Sequence, residues 1–262
     1  MLSKVLALLL AAATTFLPVS TYAQNFSGYS SGFKSSTNNQ SKSYRFIADP
    51  TGTAPTKKVH AFSIRPGCTS ADDCSQQSVR SQLHEQERNK PANDGWYAWS
   101  MYIPQNFALA EQQPSKGYYT FAQWKNRGCP HVSFRNIPVN AHPGIIENVD
   151  PDMLYIETSN QMDGDCQRKA RIPVISIDKL RGGWHKFEVY SEWSHGDDGR
   201  FVVYIDGTKY VDYTGSNQTV GWDENFFQFG LYLCCTNDAM RVKPTTVYYA
   251  NVSKSKRREN LK

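Results

Sequence analysis

Residues 225–233 read Asn-Phe-Phe-Gln-Phe-Gly-Leu-Tyr-Leu. In an extended chain, successive side chains point to opposite faces. Phe227, Phe229, Leu231 and Leu233 then share an apolar face, and Phe226, Gln228, Gly230 and Tyr232 share a polar face with an aromatic edge. A strand with one face this apolar needs a second layer to cover it, while its other face is left to floor a groove. Gly230 is expected to open a gap in that floor.

The same period recurs in Tyr44–Ala48, Val59–Ile64, Val79–Gln86, Trp96–Ile103, Tyr118–Lys125, His131–Arg135, Met153–Thr158, Trp184–Trp193, Arg200–Ile205, Lys209–Tyr213 and Thr245–Val252. Val174–Leu180 reads as a strand or a short helical turn. Pro104 closes one run, and Asp206-Gly207 makes a tight hairpin turn. Amphipathic helical spacing is scarce. About a dozen short strands with turn signals between them predict an all-β protein, a β-jelly roll of two antiparallel sheets (a concanavalin-like sandwich) with a concave polar groove.

The chain of 262 residues divides by composition. Met1–Ala23 has the form of a secretory signal peptide: Lys4, the apolar run Val5–Leu17, and the small-residue site Thr21-Tyr22-Ala23. That run is too short and wrongly flanked for a membrane span. Residues 24–43, rich in Ser, Asn and Gly, predict a flexible leader. Residues 44–252 are expected to form the folded domain, and 253–262 a frayed basic tail. Six cysteines in an exported chain point to disulfides. Cys68 and Cys74 bracket a short loop and are expected to pair, which leaves Cys129 and Cys166 to tie two loops. Cys234-Cys235 either form a vicinal bridge or pair elsewhere. The net charge of +5 leans slightly toward an acidic partner, without excluding an ordinary basic surface.

Four strands place hydrogen-bonding side chains opposite their apolar residues: Arg80/Gln82/His84, Gln123/Lys125, His131/Ser133/Arg135 and Gln228/Tyr232. A solvated outer face is also polar, but it is usually built from Lys, Glu and Thr. Gln, His, Arg and Tyr are better suited to sugar hydroxyls and carboxylates. Other chemistries find less support. The run Glu147-Asn-Val-Asp150-Pro-Asp152 has the wrong spacing for a retaining glycosidase. There is no P-loop and no nucleophile elbow. Glu147, Asp150 and Asp152, or Asp197 and Asp198, would suit Ca²⁺, with a solvated acidic loop the simpler reading. No cofactor is otherwise expected. Trp96, Trp99, Trp184 and Trp193 are read as core before sugar platforms.

Arg80-Ser-Gln-Leu-His84, Gln123-Trp-Lys125 and Phe226-Phe-Gln-Phe-Gly-Leu-Tyr232 resemble, in order, the three motifs of jelly-roll alginate lyases, approximately R-S/T-E-L-R, Q-I/V-H and Y-F-K-A-G-x-Y. Gly95–Pro104 with Phe107, and Gly183-Trp-His185 through Asp206-Gly207, are similar to the heparin-lyase-I-like and glucuronan lyase group. The resemblance spans about Tyr44 to Val252. It implies β-elimination on an anionic polysaccharide containing uronic acid. Tyr232, Gln123, His84, His131 and Lys125 are then the catalytic candidates, and Arg80, Gln82, Arg135 and Gln228 the substrate-binding ones. Tyr232 would need its pKa lowered by nearby cations, and His131 or His84 would be the base. The expected partner is an acidic polysaccharide, with no nucleic acid and no membrane, and the protein is expected to be a monomer. His84, Lys125 and Gln228 depart from the alginate motifs. They put alginate in doubt and keep a second reading open: a non-catalytic, lectin-like glycan-binding module on the same sandwich.

Overall fold

The period-two runs become two antiparallel sheets in the computed structural model, which describes residues 26–29, 32–36, 43–68, 71–86, 94–126, 128–139, 149–162, 165–220 and 224–262. One sheet runs β1 (Phe33–Ser35), β4 (Val79–Glu85), β13 (Phe226–Cys234), β6 (Tyr118–Lys125), β7 (Pro130–Asn136), β8 (Met153–Met162), β9 (Asp165–Ser176). The other runs β12 (Thr208–Thr214), β11 (Arg200–Ile205), β10 (Trp184–Glu192), β5 (Gly95–Tyr102), β14 (Thr245–Ser255), β3 (Lys58–Ile64), β2 (Tyr44–Ala48). A five-residue helix, α1 (Ala71–Ser75), precedes β4. This is the jelly-roll sandwich the alternation implies.

The space between the sheets is largely aromatic. Trp99 stacks on Phe187 with ring centroids 5.4 Å apart, and Trp124 packs on Phe227 at 4.9 Å. Phe62, Phe134, Phe201, Phe229 and Tyr249 complete a centre from which solvent is excluded. Burying each such ring contributes about 1.5–3 kcal/mol. Trp99 and Trp193 belong to this core, while Trp96 and Trp184 contact the tyrosines Tyr190 and Tyr102 of neighbouring strands.

One irregularity decides how the site sheet is laid out. Phe229 pairs with Ala122 and Tyr232 with Thr120, so β13 carries one residue more than β6 across this stretch. A second shift separates Thr120 and Ala122 against β7. Gly230 sits at this bulge with φ +127°, a conformation that side chains resist. A Cβ there would lie 2.4 Å from the Ser81 carbonyl oxygen and 2.8 Å from the Phe62 ring of the facing sheet. The missing side chain therefore points toward the core, and the expected gap in the groove floor is corrected. The carbonyls of Phe121 and Gly230 both receive the buried Tyr249 hydroxyl, at 2.9 and 3.2 Å.

The described residues toward both ends are more ordered than expected. β1 pairs with β4 through Phe33 opposite Glu85, and Phe26, Tyr29 and Phe33 pack on the core. The flexible leader is thus corrected for residues 26–29 and 32–36. Its remainder and the expected signal peptide lie outside the described residues. β14 runs on to Ser255, and Arg258 pairs with Glu188 at 2.7 Å while lying 3.9 Å over the Tyr204 ring, so the tail docks. Val174–Leu180 divides between the end of β9 and a 3-10 turn at Ile177–Leu180. The Asp206-Gly207 turn holds both residues at positive φ, +50° and +79°.

Gly230→Ala should destabilise the protein by about 3 kcal/mol or more, since both the φ and backbone atoms resist a Cβ. Tyr249→Phe should cost about 1–3 kcal/mol by removing a buried hydroxyl from two carbonyls. Urea unfolding, read as a lower midpoint at unchanged slope, checks both.

Candidate active site

Because paired residues on adjacent strands share a face, the register writes out the polar face row by row. His84 on β4 faces Gln228 on β13, which faces Gln123 on β6. Gln123 faces Ser133 on β7, Ser133 faces Glu157 on β8, and Glu157 faces Arg171 on β9. A second row runs Arg80, Tyr232, Thr120, Arg135, Tyr155 across the same strands from β4 to β8. The rows stand four residues apart on β13 and two apart on β7, because the bulges remove a residue of spacing as they cross β6. They converge toward Arg135.

The upper row is a chain of amides. Gln123 Nε2 donates to Gln228 Oε1 at 3.2 Å, and Gln228 Nε2 donates to Gln82 Oε1 at 2.8 Å. This leaves the second Nε2 hydrogen of Gln123 for a ligand. His84 is buried, and its Nδ1 donates to the Glu85 carbonyl at 2.8 Å, which puts the lone pair on Nε2. Lys125 lies opposite Phe226 at the margin of this row. Farther along, the buried carboxylate of Glu157 is held between Arg135 at 2.5 Å and Arg171, whose Nε donates at 2.7 Å.

The lower row centres on Tyr232, whose ring lies 4.0 Å beneath the Arg80 guanidinium. Arg80 is itself braced by Asp73 at 3.0 Å. The Tyr232 hydroxyl points to Ser78 Oγ at 3.4 Å and Cys234 Sγ at 3.1 Å. Burial pushes the phenol above its ordinary pKa, and Arg80 and Ser78 only partly oppose it. The lowering that Tyr232 would need is therefore not found, and its pKa is raised instead. Arg135 lies 4.5 Å over the Tyr118 ring. Burial works against its charge, but Tyr118 and Glu157 outweigh it and raise its pKa.

His131 does not join them. It is the extra residue of a bulge, since Trp124 pairs with Val132 and Lys125 with Pro130. Period two fails at a bulge, and the ring turns to meet Trp193 at 5.9 Å. Its Nδ1 accepts the Thr219 amide at 2.9 Å, and its Nε2 donates to the Glu224 carbonyl at 2.9 Å. Both nitrogens are committed to holding a loop, so the expectation of a catalytic His131 is corrected. Glu157, Arg171 and Tyr118 were missed. Alternation in Met153–Thr158 already set Glu157 and Tyr155 opposite Leu154 and Ile156, so Glu157 was within reach. Arg171 lies in a run of charged residues with no apolar period.

The expected Cys68–Cys74 bridge is present, and of the two alternatives for Cys234 and Cys235 the vicinal bridge is the one formed. Cys129 is also disulfide-bonded, and the side chain of its expected partner Cys166 lies outside the described residues. Among the described residues, no cluster of His, Cys, Asp and Glu is arranged to hold a metal ion, and no helix is long and apolar enough to cross a membrane.

A jelly roll with amides, guanidinium groups and a phenol aligned on one face defines a carbohydrate-active β-sandwich. The chain belongs to the polysaccharide lyase family, whose profile matches residues 26–253 and so spans both rows. The fold is similar to that of an endo-β-1,4-glucuronan lyase from Trichoderma reesei, at a TM-score of 0.64 and 15% identity over 88% of this chain and 94% of that one. An alginate lyase from Klebsiella pneumoniae follows at 0.53 and 11%, over 82% and 85%. A glycoside hydrolase family 16 endo-glucanase from Bacteroides ovatus matches at 0.50 and 11%, over 84% and 93%. At such identities these likenesses establish the shared fold, which serves more than one chemistry. No curated protein matches the chain in sequence.

Burial drops the pKa of His131 from 6.5 to about 4, so the unfolded chain takes up its proton first. Its contribution to stability is present above pH 6.5, is lost as pH falls toward 4, and amounts to roughly 3 kcal/mol. His131→Asn should be less stable at neutral pH and should show a shallower decline between pH 6.5 and 4 in unfolding measured across that range.

Proposed function

We propose that this lyase is exported and cleaves an acidic polysaccharide containing uronic acid by β-elimination. The observation that carries this reading is the charge of the polar face. Among the described residues, its two rows and the ion pairs shown for them hold Arg80, Arg135, Arg171 and Lys125 with Asp73 and Glu157. Both carboxylates are engaged by arginines, and the guanidinium groups they hold in place suit the carboxylates of an acidic polymer. The amino-terminal segment of secretory form supports export.

β-Elimination removes the C5 proton, forms a C4–C5 double bond and expels O4, which must be protonated. The C5 proton is weakly acidic until the adjacent carboxylate is neutralised. Gln123 supplies the open amide hydrogen for that carboxylate, with Arg135 two residues from the facing Ser133. His84 offers the lone pair on Nε2 as base, and Tyr232 offers its phenolic proton to O4. His84 and Tyr232 are separated by the four residues from Gln228 to Tyr232, roughly 13 Å of strand. The C5 proton and O4 sit on neighbouring ring carbons, so the two side chains must lean toward each other across the face to act on one sugar. Gln82 and Gln228 hold the amide of Gln123 in place, and Lys125 lies along the path of the polymer.

The test is the ultraviolet absorbance of unsaturated uronate released from a panel of glucuronan, alginate and heparin. Tyr232→Phe should lower kcat by roughly 10²–10⁴ with KM little changed, as the loss of a proton-transfer group predicts. Gln123→Ala should cost about 10²–10³ through lost charge stabilisation. Unaltered kinetics in Tyr232→Phe would overturn the assignment, and no product from any polyuronate would overturn the substrate class.

A further inference from the structure

We propose that the vicinal Cys234–Cys235 disulfide positions the catalytic phenol of Tyr232, and that a dithiol reductant switches the site off by opening it. The inference rests on the reading of Tyr232 as the proton donor. Cys234 is two residues beyond Tyr232 on β13, so both side chains stand on the same face. It is buried in a cluster with Tyr118, Tyr155, Tyr232, Ile137 and Val149.

The two sulfurs reach two different phenols. Cys234 Sγ lies 3.1 Å from the Tyr232 hydroxyl, and Cys235 Sγ lies 3.7 Å from that of Tyr118. Tyr118 carries the Arg135 guanidinium on its ring, so the bridge joins the proton donor to the cation where the rows converge. Ser78 completes the cradle: its hydroxyl oxygen accepts the Tyr232 hydroxyl at 3.4 Å and the Cys235 amide at 3.1 Å.

The backbone is shaped to present the bridge. Cys235 adopts φ +59°, which non-glycine residues rarely do, and both flanks are pinned. The Thr236 amide donates to the Gln77 carbonyl at 3.2 Å, and a Cβ on Gly117 would come within 2.4 Å of the Cys234 carbonyl oxygen. Cys235 is exposed, so a small reductant has access.

The chemistry of the switch follows from what a disulfide lacks. Its sulfurs have no proton and only weak acceptor character, so they orient the Tyr232 O–H without competing for its oxygen. A dithiol gives two electrons and two protons: the S–S bond breaks, two S–H bonds form, and the reductant closes into its own disulfide. The new Cys234 thiol is a donor beside the phenol oxygen, and both side chains regain rotamers that the ring had denied them. The phenol loses its fixed direction, and a misplacement of this kind costs rate with little effect on binding.

The experiment compares the oxidised protein, the same protein after dithiothreitol, and Cys234→Ala/Cys235→Ala, which leaves the other bridges in place. The substrate is a polyuronate that the oxidised protein cleaves. Opening or removing the bridge should lower kcat on the order of tenfold or more, with KM within about twofold, and the double variant should resist further inhibition by reductant. In parallel, the Tyr232 signal of protein labelled with ¹³C at tyrosine Cζ, assigned by its loss in Tyr232→Phe, should move and titrate at a changed pH. Wild-type kcat together with an unmoved Tyr232 signal in the double variant overturns the proposal. Should the double variant not fold, the same two readouts on the reduced wild-type protein decide it. If no polyuronate is cleaved, it is the substrate reading that fails, and the unliganded Tyr232 signal alone decides the positioning role: unmoved, it overturns it.

Discussion

A single buried hydroxyl allows the polar face to have the shape it has. Where β6 and β13 fall out of step, two backbone carbonyls are buried in the middle of an aromatic core, where an unpaired carbonyl costs about 1–3 kcal/mol. Tyr249, reaching across from the opposite sheet, takes both. With the bulge secured, Gly230 turns its absent side chain toward Phe62, and the strand can shorten the spacing on the other face without opening a void in the core. The two polar rows converge for that reason. On an unbroken sheet they would run parallel, and Arg135 would stand away from the Gln123 end of the face.

The electrostatics of the face are built on the same economy of contact. Glu157 is buried, and a lone carboxylate there would be costly, so two arginines enclose it. The arrangement holds the guanidinium groups of Arg135 and Arg171 at fixed positions. Asp73 does the same for Arg80, which in turn lies over the Tyr232 ring. Each carboxylate serves to aim a cation. The phenol between these cations stays protonated because burial outweighs their pull. In the proposed reaction a phenol acting as acid needs a separate base, the part given to His84, whose Nδ1 donates to the Glu85 carbonyl.

The places where the sequence misleads share a physical cause. His131, Ser133 and Arg135 alternate cleanly against Val132 and Phe134, and period two assigns all three to one face. The bulge at His131 breaks that rule for this residue alone, and a bulge depends on the partner strand, which a linear pattern does not contain. Arg171 escaped because β9 is an edge strand, where charged residues replace alternation. Phe33 and its neighbours escaped because a three-residue strand paired only at one edge carries too little pattern to stand out from a polar leader.

What the amino-acid order determined by itself was everything that depends on neighbours along the chain: the strand runs, the Asp206-Gly207 turn, the inward and outward faces, and the all-β class. The residues proposed to act, Arg80, Gln123 and Tyr232, were also legible, since each lies on a regular stretch where alternation fixes its side. Only the tertiary structure decided which rows these residues share, that Glu157 and Arg171 stand beside them, and that the His131 ring is bound to Thr219 and Glu224. Strand order, register and bulges are set by contacts between segments far apart in the chain. Alternation along one strand says which way a side chain points, but not what it will face.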